Sequence, residues 1–222
     1  GRVVSVNFGF GIPGGIPALA QRAGVTYWGS VEQGLHNGLL FDGPMFGAAR
    51  DPDAILPSVE QFDFYSGGGI DTAFLGMGEM DGAGNVNVSM MGGTLVGPGG
   101  FVDITQTARK VVFCGAFEAK GLAVAVVDGR LRIERAGAVP KLVEAVAQVT
   151  FSGNEARRQG QEVLYVTERA VFRLGARAVE LVEVAAGIDV ERDVLARMRF
   201  RPEVAATLGR FRPAGDGAPS PG

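Results

Sequence analysis

Apolar residues fall in short blocks along the chain, separated by glycine and by polar turns. Residues 3–8 are a short apolar run suited to a buried parallel strand. A glycine loop, 9–15, follows, and residues 16–23 predict a short helix that stops at Gly24. Residues 25–28 open a second strand that runs into 30–34. This order predicts an open layered α/β fold with functional residues at the carboxyl ends of strands. Residues 39–57 read as loop, with a turn at Asp51-Pro52. Further strands are predicted at 72–75, 85–90 and 110–114, with glycine-rich turns at 67–69, 81–84 and 97–100. Residues 122–127 and 130–134 flank Asp128-Gly129, a strong hairpin signal. More strands follow at 162–167, 171–174 and 179–184, so several hairpins gather toward the C-terminus. Residues 189–198 predict a helix capped by Asp189, with Val190, Val194, Leu195 and Met198 as its apolar stripe. The expectation is one α/β domain over residues 1–212 and a disordered Pro/Gly/Ala/Ser tail over 213–222.

Composition narrows the chemistry. Among 222 residues there is one Cys, Cys114, and one His, His36. That excludes a disulfide framework and His/Cys zinc clusters, and leaves any His-dependent triad resting on His36. Asp81 and Asp103 match no calcium-loop spacing and read as turn or surface residues. With 21 basic and 24 acidic residues the net charge is −3, which offers nucleic acid no basic footprint. No apolar run is long enough to span a membrane, and no charged-then-apolar leader is present, so the expected location is the cytoplasm. A start inside a strand-like run suggests a processed chain or a piece of a longer one. Glycine, at 35 residues, is roughly twice its average share. Chemistry here falls to carboxylates, hydroxyls, amides and backbone N–H groups.

The first loop carries Gly9-x-Gly11-x-x-Gly14 between strand and helix, with Glu32 about twenty residues on, which matches the dinucleotide fingerprint. In so glycine-rich a chain the spacing arises easily, and Pro13 removes one amide. A tight strand-to-helix turn is the competing reading.

Over residues 3–202 the chain resembles the carboxyl-terminal half, or beta subunit, of a family I CoA-transferase of the acetate/propionate type. The segments that carry the likeness are Asn7-Phe8-Gly9-Phe10-Gly11-Ile12-Pro13, Ser30-Val31-Glu32-Gln33-Gly34 and residues 61–69. Residues 81–88, Gly97-Pro98-Gly99-Gly100-Phe101, Val112-Phe113-Cys114-Gly115 and residues 163–172 complete the ordered set. The resemblance implies a glutamate nucleophile at Glu32, which exchanges CoA between a short acyl-CoA and a carboxylic acid through a glutamyl-CoA thioester with ping-pong kinetics. It implies an oxyanion hole made of the Asn85 side chain and the Gly99 and Gly100 amides, with Gly97, Gly99, Gly100 and Phe101 touching CoA. CoA is then a substrate, and no tightly bound cofactor is expected. The family also has an amino-terminal α/β half, in the same chain or as an alpha subunit, so that half and an oligomer are the expected partners. The run Leu35-His36-Asn37-Gly38 is bulkier than the family's usual Gly-Gly pair, which bears on the acyl and acid specificity.

Read from the residues alone, each of these has a plainer role. Glu32 fits an ordinary strand-end acid, Asn85 a turn residue beside Gly84, and Gly99-Gly100 backbone relief in a loop. His36 reads as a loop residue near the site, Cys114 as a buried inert thiol, and Glu168-Arg169 as a hairpin turn with an ion pair. Two other functions stay open: a CoA-binding or assembly subunit without turnover, and an acyl-CoA hydrolase.

Overall fold

Most of the apolar blocks become strands, and ten strands join in a single sheet. A computed structural model describes residues 3–41 and 43–214. The sheet strands in chain order are β1 (Ser5–Phe8), β2 (Trp28–Ser30), β3 (Leu35–His36), β4 (Ala54–Ile55) and β5 (Thr72–Gly76). They continue with β6 (Lys110–Cys114), β7 (Glu162–Val166), β8 (Ala170–Leu174), β9 (Val179–Ala185) and β10 (Glu203–Phe211). Their spatial order is β10-β9-β8-β7-β6-β5-β1-β2-β3-β4. The five central strands, β7 to β2, are parallel, and antiparallel pairs extend both flanks. Val111 and Phe113 of β6 pair with Val163 and Tyr165 of β7, and all four are buried as one apolar layer on the same face of the sheet.

The connections decide where a ligand fits. From β1 the chain crosses through α1 (Ile16–Arg22) to β2 on one side, then returns to β5 on the other side of β1. The order reverses between β1 and β5, and a crevice opens at their carboxyl ends. Helix α2 (Ser58–Ser66) leads into β5, and α3 (Phe101–Thr107) leads into β6 and packs against α2. Phe101 of α3 stacks on Phe113, which stacks in turn on Tyr165. Helix α4 (Gly153–Gln159) is capped by the Ser152 hydroxyl, which accepts from the Glu155 amide.

Several expectations change. Residues 85–90 do not make a sheet strand; Val86–Asn87 and Met90–Met91 belong to separate two-stranded ribbons. The cap at Asp189 forms, but Val190–Val194 is a π-helical turn and Leu195–Arg197 a 3-10 turn. Helices α2, α3 and α4 and strand β10 lie outside the predicted elements, although the buried Phe101, Ile104 and Thr105 of α3 sit at helical spacing. The hairpin does form from Ala123–Val127 and Arg130–Arg135, with Asp128 and Gly129 both at positive φ, as a tight primed turn requires. Most of the predicted tail, residues 215–222, lies outside the described residues. Among the described residues no helix is long and apolar enough to cross a membrane.

Candidate active site

Strand β2 ends at Ser30 and the chain reverses into β3 through a four-residue turn. Its closing bond runs from the Gly34 amide to the Val31 carbonyl, 3.0 Å. Gly34 has φ +99°, and a Cβ there would strike the Leu56 carbonyl, so only glycine completes this reversal. Glu32 is the first residue inside the turn. Its half-buried carboxyl is pushed above the usual carboxylate range by desolvation, an effect the Gly100 amide partly offsets by donating to it.

That amide comes from the loop before α3. Gly97 and Gly99 have φ of +83° and +55°, which explains two of its glycines. Gly100 has an ordinary φ of −77°, but a Cβ on it would run into Glu32 Oε2 and the Phe62 ring. Close approach to the carboxylate is what requires glycine there.

Glu32, Gly97, Gly99, Gly100 and Phe101 all line one cleft of about 390 Å³. The floor is Asn7, Phe8 and Gly9 from the end of β1 and Leu75 and Gly76 from the end of β5, the crevice where the strand order reverses. Phe10, Phe46, Val88 and Val96 form much of the remaining wall. Among the described residues, Glu32 is the only ionisable side chain in this lining and Asn7 the only side-chain amide. The described part of the cleft therefore sets the poorly hydrated Glu32 carboxylate against apolar surface and glycine amides. Such an arrangement suits a nucleophile for an uncharged acyl centre.

Other expected residues lie elsewhere. The structure does not bring Asn85 to the cleft: its Nδ2 donates to Asp81 Oδ2 (3.0 Å) and its Oδ1 accepts from the Gly153 amide (3.0 Å). Both ends of that side chain are occupied in stabilising the turn that Asp81 shapes by accepting from the Ala83 and Asn85 amides. His36 is a buried strand residue, not a loop one, and Leu35–Gly38 do not line the cleft. Cys114 is buried, which raises its thiol to about 11 and leaves it protonated near neutrality. The dinucleotide reading also fails. The Gly9 amide is bound to the Phe74 carbonyl (2.8 Å) and the Gly14 amide to the Gly11 carbonyl (2.9 Å), so neither faces a pyrophosphate. No group of three His, Cys, Asp or Glu among the described residues is arranged to hold a metal. Two cleft residues lie in the first family-like segment but were given no role by it: Asn7, a lone amide in an apolar strand, and Phe10, an aromatic residue inside the glycine loop.

No family model matches the chain. It is 43% identical over 212 residues to a caffeate CoA-transferase of Acetobacterium woodii, an alignment covering 91% of this chain and 40% of that protein. It is 40% identical over 204 residues to the acetate CoA-transferase YdiF of Escherichia coli K12, covering 91% of this chain and 38% of the relative. The chain thus spans about two fifths of the length of these curated relatives. Among solved structures, the acyl-CoA transferase YdiF of E. coli O157:H7, in a thioester complex with CoA, superposes with a TM-score of 0.89 at 37% identity. That match covers 95% of this chain and 40% of the other. Glutaconate CoA-transferase of Acidaminococcus fermentans shares the fold, with a TM-score of 0.72 at 19% identity over 96% of this chain and 84% of that one. Over about nine tenths of its length the chain is thus similar, in sequence and in fold, to two fifths of the caffeate CoA-transferase and of YdiF.

Proposed function

We propose that this chain is the glutamate-bearing, carboxyl-terminal half of an enzyme that moves CoA from a short acyl-CoA to a carboxylic acid. The observation that carries the reading is the Glu32 carboxylate in the cleft, half-buried and held by the Gly100 amide. Ionised Glu32 attacks the thioester carbonyl; the C–S bond breaks and gives an acyl-glutamyl anhydride and CoA thiolate. The thiolate then attacks the glutamyl carbon, releases the first acid as its carboxylate, and leaves a glutamyl-CoA thioester. A second carboxylate reverses both steps. Nucleophiles and leaving groups are all anions, so no proton has to be delivered, and the demand falls on oxyanion stabilisation.

The second attack places negative charge on an oxygen of Glu32 itself. The Gly100 amide already donates to that carboxylate, so it is oriented for the charge before the charge develops. Gly99 supplies the neighbouring amide, and Gly97 and Phe101 line the path of the CoA arm. Asn85 takes no part, because its amide is bound within its own turn. A companion half closes the site in this reading. The length of the relatives supports it, and so do Phe10 and Val96, cleft residues that are 67% and 59% exposed.

Borohydride trapping tests the reading. The chain, assembled with its companion half, is treated with acyl-CoA and borohydride, and the peptides are mapped by mass spectrometry. A reduced Glu32 is expected, and Glu32→Ala abolishes it. Failure to modify Glu32 while a reference transferase is modified would overturn the assignment. Acid release without a second carboxylate would indicate a hydrolase, and CoA binding without exchange a binding subunit.

A further inference from the structure

Beneath the cleft lies a buried polar cluster that the chemistry above does not use. The Trp28 indole N–H donates to His36 Nδ1 (2.8 Å), and His36 Nε2 meets Gln61 Oε1 at 2.6 Å. With Nδ1 accepting, the imidazole is neutral and its one proton lies on Nε2, donated to Gln61. The Gln61 amide lies beside the Tyr65 hydroxyl, which accepts from Asn7 Nδ2 (2.8 Å) and donates to Ser30 Oγ (3.0 Å). Tyr65, Ser30 and Gln61 are fully buried. Asn7 Oδ1 is buried without a partner. Incompletely satisfied polar clusters are costly, and deleting the tyrosine hydroxyl would also leave the buried Asn7 Nδ2 without its 2.8 Å acceptor.

Tyr65 touches both sides of the Glu32 carboxylate's setting. Its hydroxyl holds Ser30, the last residue of β2, two positions before Glu32. Its ring meets Phe62 edge to face (6.1 Å), and Phe62 lies against Gly100. Its carbonyl accepts from Thr107 Oγ1 (2.7 Å) at the far end of the helix that Gly100 precedes. We propose that Tyr65 is a positioning residue that ties the Glu32 turn to the Gly100 loop, so that the carboxylate and the amide keep their mutual geometry through both covalent steps. The proposal rests on Glu32 being the nucleophile. The hydroxyl stays protonated: burial raises its pKa, and the facing Glu32 charge adds to the rise.

The test compares Tyr65→Phe, Ser30→Ala and the double variant in the enzyme assembled with its companion half. It reads kcat, the KM for acyl-CoA and the rate of Glu32 trapping. Tyr65→Phe is expected to slow kcat and trapping about 10-fold or more with KM within about twofold, since sub-ångström misplacement of a nucleophile acts on rate. Ser30→Ala should give a smaller loss of the same kind, and the double variant should be no slower than Tyr65→Phe alone, because both cut one link. Wild-type trapping with unchanged rates in both single variants, a loss confined to KM, or losses that multiply would each overturn the positioning role alone. If Tyr65→Phe fails to fold, Ser30→Ala, which removes only one hydroxyl, decides by the same criterion. Absence of any wild-type Glu32 adduct overturns the nucleophile, and the positioning role with it.

Discussion

A carboxylate that attacks a thioester must be ionised and poorly hydrated, and these two demands oppose each other. In the proposed reading Glu32 meets both by losing part of its water while keeping one N–H donor from Gly100. Its carboxyl therefore binds a proton more tightly in the folded than in the unfolded chain. Between its ordinary value of 4.5 and the raised value, the native state holds more protons, so stability falls as pH rises through that window and is level above it. The rate of trapping should instead climb across the raised value, as the nucleophile ionises. Glu32→Gln is accordingly expected to raise Tm at neutral pH while abolishing trapping, checked by calorimetry beside the adduct assay. Gly100→Ala probes the partner group. Its backbone φ tolerates alanine, but the new Cβ displaces Glu32 Oε2 and Phe62. The amide is kept but the carboxylate is pushed off it, so a loss of about 100-fold or more in kcat is expected, comparable to losing one oxyanion contact, with far-UV circular dichroism unchanged.

At the level of elements, the sequence announced those whose signal is local. The Asp128-Gly129 hairpin and the Asp189 cap depend on a few neighbouring residues, and both are present. The cap is reciprocal: Asp189 Oδ1 accepts from the Arg192 amide (2.8 Å) and the Asp189 amide donates to Asp193 Oδ2 (2.9 Å). Asp189→Ala is expected to cost about 1 kcal/mol in urea denaturation, the usual worth of an N-cap. Past the cap the backbone is π-helical, a geometry fixed by burial of Val194 and Leu195 and by contacts from Arg169 that no local pattern records. Residues 61–69 stand out in the sequence only as a family segment, yet their structural content is α2, which carries Gln61, Phe62 and Tyr65 under the site. Three of the side chains in that helix face different partners, so no single apolar stripe announces it.

Across the molecule, Arg169 joins parts that are far apart in sequence. It is fully buried, pairs with Glu168 (2.6 Å) and Glu118 (3.4 Å), lies 4.5 Å from the centroid of the Phe117 ring, and donates to the Asp193 carbonyl. The expected turn with an ion pair is present, but it is a core junction rather than a surface one. Arg169→Ala leaves Glu118 buried with Arg197 as its remaining cation, and should cost about 3–5 kcal/mol, read from the denaturation midpoint. The order of short motifs was enough to indicate a resemblance to the CoA-transferases, the α/β class and a glutamate near the end of the second strand, because these depend on residue identity and local glycine geometry. That Glu32 lies in a turn after β2 is decided by the fold. Which groups meet was decided only by the fold. Residues 32 and 100 come together because the strand order reverses between β1 and β5, which sets the β2 turn and the loop before α3 on the same crevice. Asn85 is drawn away by Asp81 and the Gly153 amide, and His36 is turned inward to Trp28 and Gln61. A linear pattern states which atoms can donate or accept, but competition among buried partners, settled in three dimensions, determines where each hydrogen bond goes.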